Sequence, residues 1–155
     1  TAFLAAWVIS LFQDTIDKVL LLAVYMPVVA GMGGNAGTQT LAVMVRGIAL
    51  KEITLKNCSR ALINEILGGV FNGLIIGIIV ALAAAIWNQS PLLGVVLGVS
   101  MVANLIIAGF FGAIIPLILK RLGNDPATSA SIFITTATDV FGFLVFLGLG
   151  TILLT

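Results

Sequence analysis

Asp139 is the residue with the most chemistry to explain. It stands 13 residues beyond Pro126 in an apolar run that contains no lysine or arginine. In a helix that places it roughly 20 Å along the axis, at about 1.5 Å per residue. A carboxylate at the centre of a bilayer costs about 2.5–3.5 kcal/mol on insertion scales. It should therefore face water, a cation or a proton relay, not lipid. A protonated aspartic acid bonding a neighbouring helix is the simpler alternative. Thr128, Ser131, Thr135, Asp139 and Gly142 are spaced 3, 4, 4 and 3, which is one stripe of a 3.6-period helix. A hydroxyl stripe leading to one carboxylate suits the wall of an aqueous pathway. Hydroxyls that only bond back to the preceding turn fit the same spacing.

The second chemical stretch is GMGGNAGTQT, Gly31 to Thr40. Gly31, Gly34, Thr38 and Ala42 are spaced 3, 4 and 4, again one helix face. Glycine on a face leaves backbone carbonyls uncovered, and exposed backbone at membrane depth is tolerated only against protein or a water-filled cavity. Carbonyls, an amide and a hydroxyl are hard oxygen ligands, suited to Mg²⁺ or Ca²⁺ or to their water shells. The run is expected to form one wall of a cation site with Asp139 as its charge. A glycine hinge that merely admits a neighbouring helix is the alternative.

The remaining polar residues have blander expectations. Glu65 falls near the start of its run, within reach of Arg60 and Lys56, and is expected to snorkel or pair with them. Asn64, Asn72 and Asn104 are expected to bond between helices. Asp14 and Asp17 fall at the outer loop and read as a solvated turn, with attraction of cations as the alternative. The sequence has no histidine and one cysteine, Cys58. That argues against zinc, haem and iron–sulfur chemistry and against histidine-based catalysis, so no enzyme is expected, and no nucleic-acid partner.

What positions these residues follows from composition. Of 155 residues, 61% are hydrophobic and 8% charged, against about a quarter charged in soluble domains. Such a chain belongs in a lipid bilayer. Thr1 to Gln13 is apolar but too short to cross, and reads as the end of a truncated helix. Val19 to Val45 (27 residues, uncharged), Ala61 to Trp87 (27, with Glu65), Pro91 to Leu119 (29, uncharged) and Pro126 to Thr155 (30, with Asp139) are long enough to span. The expectation is an all-α polytopic membrane protein with five transmembrane helices, the first truncated, forming a single domain over residues 1–155. Asp125-Pro126 reads as an N-cap with proline at the first helical position, and Asn88 to Pro91 as a turn. Trp7 and Trp87 suit membrane interfaces. Gly69, Gly73 and Gly77, like Gly94 and Gly98, repeat every four residues and should let helices pack closely.

Arg46, Lys51, Lys56, Arg60, Lys120 and Arg121 fall on one side of alternating spans, and only Lys18 on the other. The positive-inside rule then makes both basic loops cytoplasmic and puts the C-terminus outside.

Pro27 to Leu50, PVVAGMGGNAGTQTLAVMVRGIAL, together with Thr135 to Leu154, TTATDVFGFLVFLGLGTILL, resembles the transmembrane domain of the MgtE family of magnesium channels. The likeness covers essentially the whole chain. It implies a multi-pass protein of the bacterial inner membrane, a homodimer with the ion path at the subunit interface, and second and fifth helices that line the pore. It implies that Asp139 binds the ion, with the carbonyl of Thr135 one turn before it. By position it implies that Gly31, Gly34 and Thr38 form the second-helix wall, and Asn35 beside them is expected to help orient the ion's waters. Mg²⁺ is the implied cargo, with Mn²⁺, Co²⁺ and Ca²⁺ open by ligand chemistry. Family members also carry cytoplasmic regulatory domains, which are absent from this sequence. A proton- or sodium-coupled carrier for another small cation is the competing function.

Overall fold

The computed structural model describes residues 1–54 and 57–155. Six helices follow in chain order: α1 (Ala2–Ser10), α2 (Gln13–Lys18), α3 (Leu21–Ala49), α4 (Cys58–Asn88), α5 (Pro91–Arg121) and α6 (Pro126–Leu154). Among the described residues α4, α5 and α6 are long and apolar enough to cross a membrane, by length and composition. The α3 helix matches α6 in length at 29 residues. It falls outside that apolar class because its middle turns carry the glycines with Asn35, Thr38 and Gln39.

The ends of these helices follow from their local chemistry. Asp125 caps α6, its carboxylate accepting the Ala127 N–H at 3.0 Å, with Pro126 following where no N–H is needed. Ser90 caps α5 through the Leu93 N–H at 3.4 Å, again before a proline. The α5 helix ends on Gly123, at φ +79°, a conformation that favours glycine. The Asn124 N–H closes that turn on the Leu119 carbonyl at 3.0 Å.

The N-terminal stretch differs from the expectation. The first helix stops at Ser10, and Asp14 and Asp17 lie in the short helix α2 instead of a turn. The reason is tertiary. Thr15 is buried and its hydroxyl lies 2.9 Å from that of Thr151, so α2 is pinned against the far end of α6.

The α5 helix is the spine of the bundle, packed against α3, α4 and α6. It contributes Leu93, Val96, Leu97, Met101 and Leu105 to the main core, which Phe143, Phe146 and Leu147 of α6 and Leu22 and Val29 of α3 complete. The α4 helix leans on α5 and scarcely meets α3. Its outer face carries Phe71, Ile75, Ile78, Ile79, Leu82 and Ile86, all exposed, the apolar exterior that lipid requires. Lipid tails do not squeeze helices together, so close packing of small residues must do so. The glycine spacing meets that need. A Cβ on Gly69 would stand 2.5 Å from the Leu105 carbonyl, on Gly73 2.9 Å from Val102 Cα, and on Gly77 2.8 Å from the Gly98 carbonyl. On Gly94 it would meet the Ala81 carbonyl at 2.6 Å.

Candidate functional site

The glycine run of α3 serves two faces at once. Gly33 and Gly37 are buried and point inward. A Cβ on Gly33 would collide with the Asn104 amide of α5, and one on Gly37 would stand 2.5 Å from Ile134 of α6. These two glycines admit neighbouring helices, as the hinge alternative anticipates. Gly31 and Gly34 point the other way. Among the described residues, and apart from its own helix turn, nothing lies within 4 Å of a Cβ on Gly31, and one on Gly34 meets only Thr135 Cγ2, at 3.9 Å. Asn35 and Thr38 are exposed beside them.

Thr135 and Asp139 are half-buried on α6, one turn apart. The structure therefore brings Gly34 of α3 against Thr135 of α6 and leaves Gly31, Asn35 and Thr38 on an uncovered face alongside. Among the described residues the Asp139 carboxylate has no hydrogen bond or ion pair with protein.

The hydroxyls do bond back along their helices. Thr38 Oγ1 donates to the Gly34 carbonyl at 2.8 Å. Thr135 Oγ1 donates to the Ser131 carbonyl at 3.0 Å and lies 3.2 Å from that of Ile132. Thr128 Oγ1 donates to the Asp125 carbonyl at 3.1 Å. The hydroxyl proton is thus committed, and the oxygen shows only lone pairs to the outside. A hydrated cation points its water hydrogens outward, so it needs a wall of acceptors. Thr38 and Thr135 each present such an acceptor because of the back-bonds, not in spite of them.

The same bonds revise the expectation of bare carbonyls. Thr138 is buried and was missed by the stripe, yet its Oγ1 donates to the Thr135 carbonyl at 3.1 Å. With the helical N–H, that bond fills both lone pairs of the Thr135 oxygen. The Gly34 carbonyl is filled likewise by Thr38. The stripe also ends sooner than its spacing suggests. Gly142 is buried, and a Cβ there would lie 2.8 Å from Asn104 Oδ1. It is a packing glycine under α5, not part of a pathway wall.

Among the other polar residues, Asn104 bonds between helices as expected, its Nδ2 donating to the Val29 carbonyl at 2.7 Å. Asn64 and Asn72 are exposed and make no such bond among the described residues. Lys56, an expected partner of Glu65, lies outside the described residues. Arg60 is exposed, and no described basic side chain pairs with Glu65.

Long apolar helices around a buried spine, with acceptor oxygens and one unpaired carboxylate at mid-helix depth, define a polytopic α-helical membrane protein. The family model for MgtE, described as a divalent cation transporter, matches residues 26–149. The chain belongs to that family. It is 39% identical over 144 residues to the magnesium transporter MgtE of Bacillus subtilis (strain 168), covering 93% of this chain and 32% of that protein. The magnesium transporter MgtE of Enterococcus faecalis is 33% identical over 146 residues, covering 94% of this chain and 32% of that one. That of Thermus thermophilus is 32% identical over 154 residues, covering 99% and 34%. The chain thus spans about a third of the length of these relatives.

Proposed function

We propose that this chain is the membrane-embedded, ion-conducting domain of a bacterial inner-membrane magnesium channel, its pore lying at the interface of two copies. The observation that carries this is the uncovered face of α3 beside α6: Gly31, Gly34, Asn35 and Thr38 next to Thr135 and the unpaired Asp139. One carboxylate half-neutralises a dication, and a two-fold partner supplies the second. Closed two-fold assemblies are the commonest symmetric oligomers. With α3 counted, α3 to α6 give four full spans, and α1 with α2 the end of a fifth. The basic ends of α3, α4 and α5 lie in the cytoplasm, where regulatory domains of the longer protein would attach.

The mechanism follows from ion hydration. Mg²⁺ holds water at about 2.0–2.1 Å and dehydrates reluctantly. Asp139 draws the hydrated ion in through its charge. The Gly31 carbonyl, the Asn35 amide oxygen and the hydroxyl oxygens of Thr38 and Thr135 accept hydrogens from its water shell. Gly34 keeps the passage wide where α3 approaches Thr135. The Thr135 carbonyl joins only by releasing Thr138. Two carboxylates favour entry, while the absence of a denser cage lets the ion leave. Relatives named magnesium transporters support Mg²⁺ as the cargo. A proton- or sodium-coupled carrier would need protons or sodium to drive uptake.

Magnesium uptake into proteoliposomes tests this, read by an internal dye. The wild-type chain should carry Mg²⁺ under a membrane potential alone, and Asp139→Asn should abolish most of it in folded protein. Unchanged uptake in Asp139→Asn would overturn the assignment.

A further inference from the structure

Glu65 is a second carboxylate in a helix long and apolar enough to cross a membrane, and the proposed pore does not use it. It lies seven residues into α4 from Cys58, roughly 10 Å at about 1.5 Å per residue. An ionisable group at such depth calls for a named partner, and no described basic side chain supplies one. Glu65 lines a cleft of about 200 Å³ between α3 and α4. Gln39 and Thr40 of α3 face it, with Gly68 and Asn72 of α4, and Gly109 of α5 lies at its floor. At Gly109 the α4 backbone presses on α5 so closely that a Cβ would stand 2.6 Å from the Glu65 carbonyl.

We infer that this cleft binds a hydrated divalent cation, separate from any ion at Asp139. Three observations converge. The side-chain donors are all oxygen: one carboxylate, two amide carbonyls and a hydroxyl, the set that suits hard cations. None of Glu65, Gln39, Asn72 and Thr40 makes a side-chain hydrogen bond or ion pair among the described residues. The cleft, at about 200 Å³, has room for an ion together with waters of its shell. One carboxylate should hold the ion more weakly than the pair proposed for the pore.

Such an ion would join helices that otherwise scarcely meet. The α3 helix rests on α5 and α6 and barely touches α4. A cation shared by Gln39 and Glu65 couples the glycine-rich helix to α4, so its occupancy bears on how the α3 wall sits.

The test counts bound Mn²⁺ by electron paramagnetic resonance, on the purified chain in lipid nanodiscs. Asp139→Asn should retain one Mn²⁺ per chain. Adding Glu65→Gln should remove it. Adding Gly68→Leu instead should also remove it, because a Cβ at Gly68 meets nothing within 4 Å among the described residues and the larger side chain can grow into the cleft while the Glu65 carboxylate itself is kept. That second variant decides the matter if Glu65→Gln fails to fold. An Asp139→Asn chain with no bound Mn²⁺, or either double variant keeping one per chain, overturns the cleft site. The pore assignment fails separately, if Asp139→Asn leaves the wild-type count intact.

Discussion

The Asn104 amide nitrogen donates to the Val29 carbonyl at 2.7 Å, joining α5 to α3 across 75 residues of sequence. The side chain is fully buried between Gly33 of α3 and Gly142 of α6. Its Oδ1 has no hydrogen-bond partner among the described residues. Three helices therefore meet on one amide, and two of them carry glycine where they meet it.

Asn104→Ala should destabilise the chain by about 1–3 kcal/mol, through one lost hydrogen bond and an unfilled space. Gly33→Ala should do the same for the opposite reason, since overpacking costs about 1–3 kcal/mol. The double variant should be more stable than the sum of the two losses, because each change relieves the other. Unfolding of all four proteins in detergent measures this coupling. Strict additivity would show that Asn104 and Gly33 do not contend for the same space.

The α4–α5 seam offers a sharper contrast between neighbouring glycines. Gly69→Ala should destabilise, because its Cβ would press on the Leu105 carbonyl at 2.5 Å and backbone cannot step aside. Gly68→Ala, one residue away, meets nothing within 4 Å. It should be neutral or stabilising by up to about 1 kcal/mol, from helix propensity alone. Thermal unfolding of the pair checks both signs. Equal losses at the two positions would mean that the seam is not where this packing places it.

Much of this architecture is legible in the residue pattern, because apolar run length and basic punctuation act locally. The cap at Asp125, the break before Pro91, the long helices from α3 onward and the α4–α5 glycine seam all follow from spacing, whereas the Ser90 cap shows only in the structure. What is not legible depends on partners distant in sequence. Helix α2 looks like a turn until Thr15 meets Thr151. Gly142 fits the hydroxyl stripe by period, yet Asn104 claims it. Thr138 lies off the stripe and still governs the Thr135 carbonyl. Glu65 reads as a surface ion pair because Arg60 and Lys56 are near in sequence; only the gap between α3 and α4 shows it lining a cleft with Gln39. In the same way, the opposite orientations of Gly33 and Gly34 need the positions of α5 and α6.

Orientation can be probed at the α5–α6 connection. Asn124 is exposed there, beside Lys120 and Arg121. In a Cys58→Ser background, Asn124→Cys should resist an impermeant thiol reagent applied outside intact cells and react after permeabilisation. That is the outcome required by six basic residues on one side against one on the other. Labelling from outside would invert the topology, and with it the side from which an ion meets Thr128 before Asp139.

Assembly can be tested on the face that the pore proposal places between two copies. Asn35 is exposed on α3, one residue from Gly34. Across a two-fold axis each copy's residue can meet its own equivalent, and a disulfide forms only when the two Cα atoms come within about 7 Å. A pore wide enough for a hydrated ion holds Asn35 farther apart than that, so Asn35→Cys in a Cys58→Ser background should resist direct oxidation. A short bis-maleimide that spans roughly a hydrated ion's width beyond the disulfide limit should join it into dimers. Phe71 supplies the control, being 66% exposed on the outer face of α4, where lipid rather than protein is expected. Phe71→Cys should stay monomeric under the same reagent. Added Mg²⁺ should slow the Asn35→Cys reaction, because an ion between the two α3 walls occupies the path of the linker, and Asp139→Asn should remove that protection. Dimers from Phe71→Cys with none from Asn35→Cys would move the interface to α4 and take the proposed pore wall out of the ion's path.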